Sequence, residues 1–296
     1  MYPDEFDYYA AETVDEAIDL LEEHAMAETE LLAGGHSLLP AMKTGLASPD
    51  VLIDVGDVDD LHGVSVDGDA LSIGAMTRYS DLLDEDAAHE HAPALTAAVE
   101  QVGDRQVRNR GTVGGNLAHA DPASDLPGAA LASDATLVVQ GPDGERSVPA
   151  DEFFFGMYAT DLGPSEILTR VEVPSAPNAV GTYAKKPSPS SGYAMVGVAA
   201  LLSLDGETVA SVRIGANGVM DHGVRLEPVE DALRGERLDE ATIERAAGRA
   251  TDDLDAAMMM DDLQASGEFR ARLLEAYTER ALSTALDRAA SPAAAD

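Results

Sequence analysis

Apolar residues recur at helical spacing early in the chain: Val14, Ala17, Ile18 and Leu21 share one face, and Thr13-Val14-Asp15-Glu16 reads as a capping box. The spacing predicts a helix to about Ala25, then a short strand at Glu30 to Leu32 and another at Val51 to Val55. Together these make a small β-α-β unit. Val64 to Val66 and Ala70 to Ala75 flank an Asp67-Gly68 turn signal. A helix capped by Thr77 follows, and a further helix spans about Pro93 to Val102. Arg105 to Ala120 shows no sustained period and reads as loop. Asp125-Leu126-Pro127 opens a helix that reaches Ala132, and Thr136 to Gln140, Glu145 to Val148 and Ile167 to Val173 read as strands.

The pattern changes near residue 178, between Pro174 to Pro177 and the Pro- and Ser-rich stretch Lys186 to Gly192. Beyond it, long strands at Tyr193 to Leu204 and Val209 to Ala216 surround Asp205-Gly206. Helices are expected near 226 to 234, 239 to 250 and 267 to 289, and no internal repeat is visible. The expected organisation is α+β. Residues 1–58 form a β-α-β subdomain, 59–177 a second α+β subdomain, 178–289 an antiparallel sheet followed by helices, and 290–296 an Ala-rich tail that frays.

Composition sharpens this outline. At 296 residues the chain exceeds what a single hydrophobic core supports. Aromatics are only 4% and Trp is absent, so the interior is built mainly from Ala, Val, Leu and Ile. The formal net charge is -36, and lysine occurs only as Lys43, Lys185 and Lys186. Such a surface repels itself in dilute buffer, whereas molar salt shortens the Debye length to about 3 Å. The acids are dispersed rather than blocked, which favours adaptation to a salt-rich cytoplasm, as in a halophile, over a surface that grips basic partners. The same charge argues against nucleic acid and anionic membranes, because the only basic concentration is Arg105, Arg108 and Arg110. Those arginines face phosphate, an acidic partner subunit or surface ion pairs. Cysteine is absent, which removes disulfides, thiolate nucleophiles, zinc-thiolate sites and cysteine-ligated clusters from this polypeptide. Met1 to Ala10 is acidic without an apolar signal segment, and stretches such as Ala194 to Leu204 are too short to span a bilayer, so a cytoplasmic protein without membrane insertion is expected.

Two glycine-rich segments carry the candidate chemistry. Ala33-Gly34-Gly35-His36-Ser37 follows a predicted strand, and adjacent glycines let backbone N–H groups approach an anion closely. Gly111-Thr112-Val113-Gly114-Gly115-Asn116 repeats the design and adds a hydroxyl and an amide. Each alone is weak evidence, since Gly-Gly pairs are usually plain turns, and neither has the G-x-G-x-x-G or G-x-x-x-x-G-K-[ST] spacing. His89-Glu90-His91 has metal-compatible residue types but no supporting third cluster, and reads as solvated.

The context of the two segments resembles a known family. Leu32-Ala33-Gly34-Gly35-His36-Ser37-Leu38-Leu39-Pro40-Ala41-Met42-Lys43, with Leu46-Ala47-Ser48-Pro49 after it, looks like the first FAD loop of the medium subunits of molybdenum hydroxylases, the carbon monoxide dehydrogenase and xanthine dehydrogenase type. Gln106 to Asn116 and Asp121-Pro122-Ala123-Ser124-Asp125-Leu126-Pro127 resemble that family's second signature, and the likeness runs from Phe6-Asp7-Tyr8 to the helical carboxyl end. The resemblance implies a two-part FAD-binding domain of the PCMH (vanillyl-alcohol oxidase-like) type followed by an antiparallel sheet plus helices. It implies non-covalent FAD, with the backbone of Ala33, Gly34, Gly35, His36 and Ser37 and of Thr112, Val113, Gly114, Gly115 and Asn116 at the diphosphate. It places Asp125 on ribityl or ribose hydroxyls, Leu168 near the flavin, and Lys185 and Tyr193 close to the isoalloxazine ring. A positive Lys185 there would favour the anionic reduced ring, and Tyr193 could stack on it or hydrogen-bond to it. Residue by residue, the readings without flavin are a rim charge for Lys185 and a core tyrosine for Tyr193. His36, an attachment point for covalent flavin in distant relatives of this fold, reads as a histidine that satisfies loop backbone. Pro187-Ser188-Pro189-Ser190-Ser191 replaces the family's basic stretch, so an NAD contact is not expected to follow the family pattern there.

The implied role is an FAD subunit that passes electrons from the [2Fe-2S] clusters of a small partner to an external acceptor. A large molybdopterin partner oxidises substrate, and the assembly is a dimer of heterotrimers. Two alternatives stand beside it: a stand-alone flavin reductase or oxidase of the same broad fold, and a nucleotide-binding assembly protein without redox activity.

Overall fold

The computed structural model describes residues 2–290, so residues 291–296 of the expected tail lie outside the described residues. The first part comprises β1 (Asp7–Ala10), α1 (Val14–Glu23), β2 (Thr29–Leu32), α2 (Leu38–Thr44) and β3 (Val51–Asp54). Its strands form a parallel sheet in the order β1-β3-β2, one strand more than the pattern predicts. The Thr13 hydroxyl accepts the Glu16 N–H at 3.1 Å, while the Glu16 carboxylate accepts the Glu12 N–H at 2.8 Å, so the capping box closes one residue early. Ala17, Ile18 and Leu21 bury the inner face of α1 with Val51 and Ile53 of the sheet. Each of the larger side chains contributes about 1.5–3 kcal/mol by leaving water.

The second part runs through β4 (Val64–Asp67), β5 (Ala70–Gly74), α3 (Tyr79–Leu83), α4 (Asp86–His91), α5 (Pro93–Val99), α6 (Arg105–Arg108), α7 (Val113–His119) and α8 (Leu126–Ala132). It continues with β6 (Thr136–Gly141), β7 (Gly144–Pro149), α9 (Ala150–Phe153), β8 (Phe154–Gly156), β9 (Ala159–Thr160) and β10 (Ile167–Pro174). An antiparallel five-stranded sheet, ordered β4-β5-β10-β6-β7, carries Leu71, Ile73, Leu137, Val139 and Val171 into one core with Leu95, Val99, Leu117 and Leu126 of the helices. Two expectations change here. The stretch from Arg105 to Ala120 is not loop but holds α6 and α7, each started by a side-chain cap, Asp104 and Thr112. Thr77 does not cap α3; its hydroxyl bonds both the N–H and the carbonyl of Gly63, at 3.1 and 2.9 Å, and ties the segment after β5 to the one before β4.

The third part has β11 (Val180–Pro187), β12 (Ala194–Asp205), β13 (Thr208–Asn217) and β14 (Val224–Arg225), then α10 (Glu227–Leu233), α11 (Glu240–Ala247) and α12 (Gly267–Ala290). Its antiparallel sheet is ordered β11-β12-β13-β14, and β11 precedes the strand with which the sheet was expected to open. The three closing helices cover one face, where Val198, Val212 and Ile214 meet Leu226, Val229, Ile243, Leu274 and Leu282. The other face rests on α5 and α8. Two glycines allow this: a Cβ on Gly215 would lie 2.0 Å from the Gly128 carbonyl oxygen, and one on Gly181 2.3 Å from the Ala94 nitrogen. Helices α5 and α8 are thereby held between the two larger sheets.

Candidate functional site

Strand β2 ends at Leu32, and the chain turns through Ala33 to Ser37 into α2, with Gly35 in the left-handed region at φ +72. The second glycine segment lies against this turn. A Cβ on Gly34 would sit 2.3 Å from the Arg110 carbonyl oxygen and 2.9 Å from the Gly111 Cα, and one on Gly115 3.0 Å from the Ala33 Cβ. The two loops, far apart in sequence, are in direct backbone contact, and glycine at 34 is what permits it.

Their backbone donors differ. Among the described residues, the N–H groups of Gly34, Gly35, His36 and Ser37 donate to no protein acceptor. Consecutive open donors of this kind bind anions. In the second loop the N–H groups of Val113 and Gly114 instead donate to the carbonyls of Thr77 and Ala75, at 3.0 and 2.8 Å. Gly115 donates to the Thr112 hydroxyl at 3.2 Å and Asn116 to the Thr112 carbonyl at 3.1 Å. The expected cradle of N–H groups from residues 113–116 is therefore closed by the protein itself. The second loop acts as a platform for the first, with Thr112 buried within it. The Asn116 amide donates to the Tyr79 hydroxyl at 2.8 Å and accepts the Ser124 hydroxyl at 2.5 Å, which ties α7 to α3 and to the segment before α8. Burial pushes the Tyr79 phenol well above its ordinary range.

Asp125 and Lys185, expected as separate contacts, meet each other. The Lys185 ammonium donates to the Asp125 carboxylate at 2.8 Å and to the Gln101 carbonyl at 2.7 Å, and both side chains are nearly inaccessible. Lys185 is thus neither a rim charge nor an unneutralised positive group. Tyr183 donates to the other Asp125 oxygen at 2.6 Å. Burial raises the Asp125 carboxyl above the usual carboxylate range, and Lys185 and Tyr183 oppose it.

Tyr193 is not a core residue: it stays 41% exposed at the end of the Pro-Ser turn. That turn is closed by the N–H of Ser188 on the Tyr193 carbonyl at 2.7 Å. The Tyr193 phenol lies beside Ser37 of the first loop, and burial and the negative Asp121 hold its proton on more tightly than usual. Leu168 lies inside the second core, where the Ala75 N–H bonds the carbonyl of the next residue, Thr169, at 2.9 Å; it backs the platform from beneath. His36 is exposed and, among the described residues, makes no hydrogen bond, so it does not satisfy loop backbone as expected. His89 and His91 engage the Leu83 carbonyl and the Ser175 hydroxyl respectively. Among the described residues Arg105 and Arg110 form no ion pair, and Arg108 donates to the Val102 carbonyl at 2.9 Å. Sequence reasoning missed Tyr79, Ser124, Tyr183 and Asn217. The position of Tyr183, two residues before Lys185 on one strand, is the signal that places both on one face.

The open donors of the first loop, the close approach at Gly34 and the buried carboxylate nearby fit a dinucleotide with a diphosphate and sugar hydroxyls. Known proteins agree. Residues 4–176 match the family described as FAD binding domain in molybdopterin dehydrogenase, and residues 181–285 the CO dehydrogenase flavoprotein C-terminal domain. The chain is 35% identical to the carbon monoxide dehydrogenase medium chain of Hydrogenophaga pseudoflava over 98% of its own length and 100% of that protein's. It is 34% identical to the glyceraldehyde dehydrogenase medium chain of Sulfolobus acidocaldarius, covering 95% and 98%. Among solved structures, a carbon monoxide dehydrogenase from Hydrogenophaga pseudoflava superposes with a TM-score of 0.92 at 36% identity, covering 97% of this chain and 99% of that one. Quinoline 2-oxidoreductase from Pseudomonas putida 86 gives 0.91 at 32%, covering 98% and 100%. With two matched domains and near-complete coverage, the chain belongs to the family of FAD-binding medium subunits of molybdenum hydroxylases.

Proposed function

We propose that this chain holds FAD non-covalently against its first glycine loop and works as the electron-transfer subunit of a molybdenum-containing hydroxylase. It takes electrons from the [2Fe-2S] clusters of a small partner and delivers them to an external acceptor, while a large molybdopterin partner oxidises the substrate. The observation that carries this reading is the backbone contact at Gly34, which presents four open N–H groups on a platform made by the second loop. Bound FAD supplies exchange between one-electron and two-electron carriers.

The residues divide the work of holding it. The backbone of Ala33 to Ser37 meets the diphosphate, and the platform of Thr112 to Asn116, held by the Thr112 cap, fixes that loop in position. Asp125 accepts from sugar or ribityl hydroxyls, Leu168 supports the platform, and Tyr193, beside Ser37, faces the ring with the paired Lys185 behind it. Arg110 touches Gly34 through its backbone carbonyl and so helps to seat the first loop on the second. The absence of cysteine supports clusters on another polypeptide. The three units 1–58, 59–177 and 178–289, a dimer of heterotrimers and a salt-rich cytoplasm complete the proposal, the last supported by the net charge of -36.

Purification in molar salt, with visible absorption recorded before and after adding FAD and desalting, tests this. A retained flavin spectrum is expected. A folded chain that stays colourless and takes up no FAD overturns the reading.

A further inference from the structure

We propose that Tyr183 and Asn217 are positioning residues that hold the Asp125 carboxylate in place for the hydroxyls of FAD. The inference rests on FAD binding at the glycine loops.

Asp125 precedes α8, where an aspartate ordinarily caps its own helix. Here it has helical backbone angles, makes no cap bond, and turns its carboxylate toward the third part. Tyr183 of β11 donates its only hydroxyl proton to one carboxylate oxygen at 2.6 Å, which leaves its oxygen free to accept the Asn217 amide of β13 at 3.3 Å. Asn217 is fully buried and Asp125 and Tyr183 nearly so. The fold makes room for this arrangement. A Cβ on Gly197 of β12 would lie 2.0 Å from the Tyr183 hydroxyl, and one on Gly128 of α8 2.7 Å from the Asn217 side-chain oxygen. The backbone on either side is pinned as well: the Gly218 N–H bonds the Pro122 carbonyl at 2.7 Å, and the Ala194 N–H bonds the Ala123 carbonyl at 3.0 Å. Strand β11 thus bonds a carboxylate that belongs to the other part of the protein, with Asn217 of β13 and the space left at Gly197 of β12 holding the Tyr183 hydroxyl behind it. Asp125 adjoins Ser124, which bonds Asn116 of the platform. A strut between the two parts would need only apolar contact; a buried polar chain ending on a carboxylate fixes an orientation.

The groups that face Asp125 are Lys185 and Tyr183 from β11, Tyr79 from α3 and Tyr193 from the Pro-Ser turn. The Tyr183 bond opposes the effect of burial, so its removal lets Asp125 take a proton at higher pH, and a protonated carboxyl is a poorer acceptor for sugar hydroxyls.

The test is FAD affinity of the flavin-stripped full chain in molar salt, read by flavin fluorescence across pH for the parent, Tyr183→Phe, Asp125→Asn and the double variant. Tyr183→Phe is expected to weaken FAD roughly tenfold at neutral pH, the worth of one hydrogen bond to a charged group. It also moves the acid loss of binding to higher pH. Asp125→Asn lacks that pH step, and the double variant binds no more weakly than Asp125→Asn alone. Should Tyr183→Phe fail to fold, the comparison of the double variant with Asp125→Asn carries the test. Unchanged affinity and pH profile in Tyr183→Phe, or an effect that adds in full to that of Asp125→Asn, overturns the inference. A parent chain that binds no FAD overturns the proposed function instead.

Discussion

Gly34 is where the two loops touch, and a single methyl group there has nowhere to go: its nearest neighbours are the Arg110 carbonyl and the Gly111 Cα, both backbone. Gly34→Ala is therefore expected to cost about 1–3 kcal/mol of stability by overpacking and to weaken FAD binding at least as strongly. Urea unfolding and flavin titration of the same preparation check both, and an alanine variant with parental affinity contradicts the role given to the contact. Lys185 offers a second test at this scale. Lys185→Met strands the buried Asp125 carboxylate, with an expected loss of about 3–5 kcal/mol near neutral pH. The sign with pH follows from Asp125, whose carboxyl is already raised by burial and rises further without Lys185. A carboxyl with a folded pKa above its unfolded one loses stability as pH climbs from the unfolded to the folded value. The variant should thus regain stability on acidification toward the ordinary carboxylate range, and a deficit that persists there refutes the account. Neither the contact at Gly34 nor the Asp125–Lys185 pair was legible in the sequence. Each joins residues far apart along the chain, and nothing local marks them as neighbours.

Helix α7 shows what local pattern can and cannot convey. Its sequence, Val113-Gly114-Gly115-Asn116-Leu117-Ala118-His119, carries adjacent glycines that disfavour a helix by about 1 kcal/mol each relative to alanine. It forms because Thr112 caps it and because Ala75 and Thr77 accept the N–H groups of its first turn. Thr112→Ala is expected to cost about 1 kcal/mol in urea unfolding and to loosen FAD; a neutral substitution argues against the cap. The same logic sorts the other elements. Helix α1 carries its own period and cap, α8 a proline in its first turn, and strands β5, β6, β10, β12 and β13 apolar β-prone runs bounded by turn residues, and all are legible. Strand β1 is not, since its residues are mostly exposed at a sheet edge and show no alternation. Strand β11 runs into the Pro-Ser turn, whose composition marks a boundary rather than a strand, and α6 is a single capped turn. The glycine pair could be read as binding loops only through resemblance, since each alone is an ordinary turn.

For the whole molecule the dominant fact is a net charge of -36 on 296 residues. Lowering salt from molar to about 0.1 M lengthens the screening distance from about 3 Å to about 10 Å, so repulsion between neighbouring surface carboxylates is restored. The melting temperature, followed by circular dichroism, should fall steeply over that range, and a flat or rising profile contradicts a fold tuned to salt. The Lys185–Asp125 pair, at 2.8 Å and with both side chains buried, should outlast the exposed ones. The bonds from Ala194 and Gly218 to the segment before α8 have a further consequence, for the timing of biosynthesis. A chain emerging from the ribosome has its first glycine loop early, but its Asp125 segment is not pinned until residue 218 has left the exit tunnel. With FAD seated on Asp125 as proposed, full cofactor capture waits for that moment, and products of synthesis stalled before it would leave the ribosome without firmly held flavin.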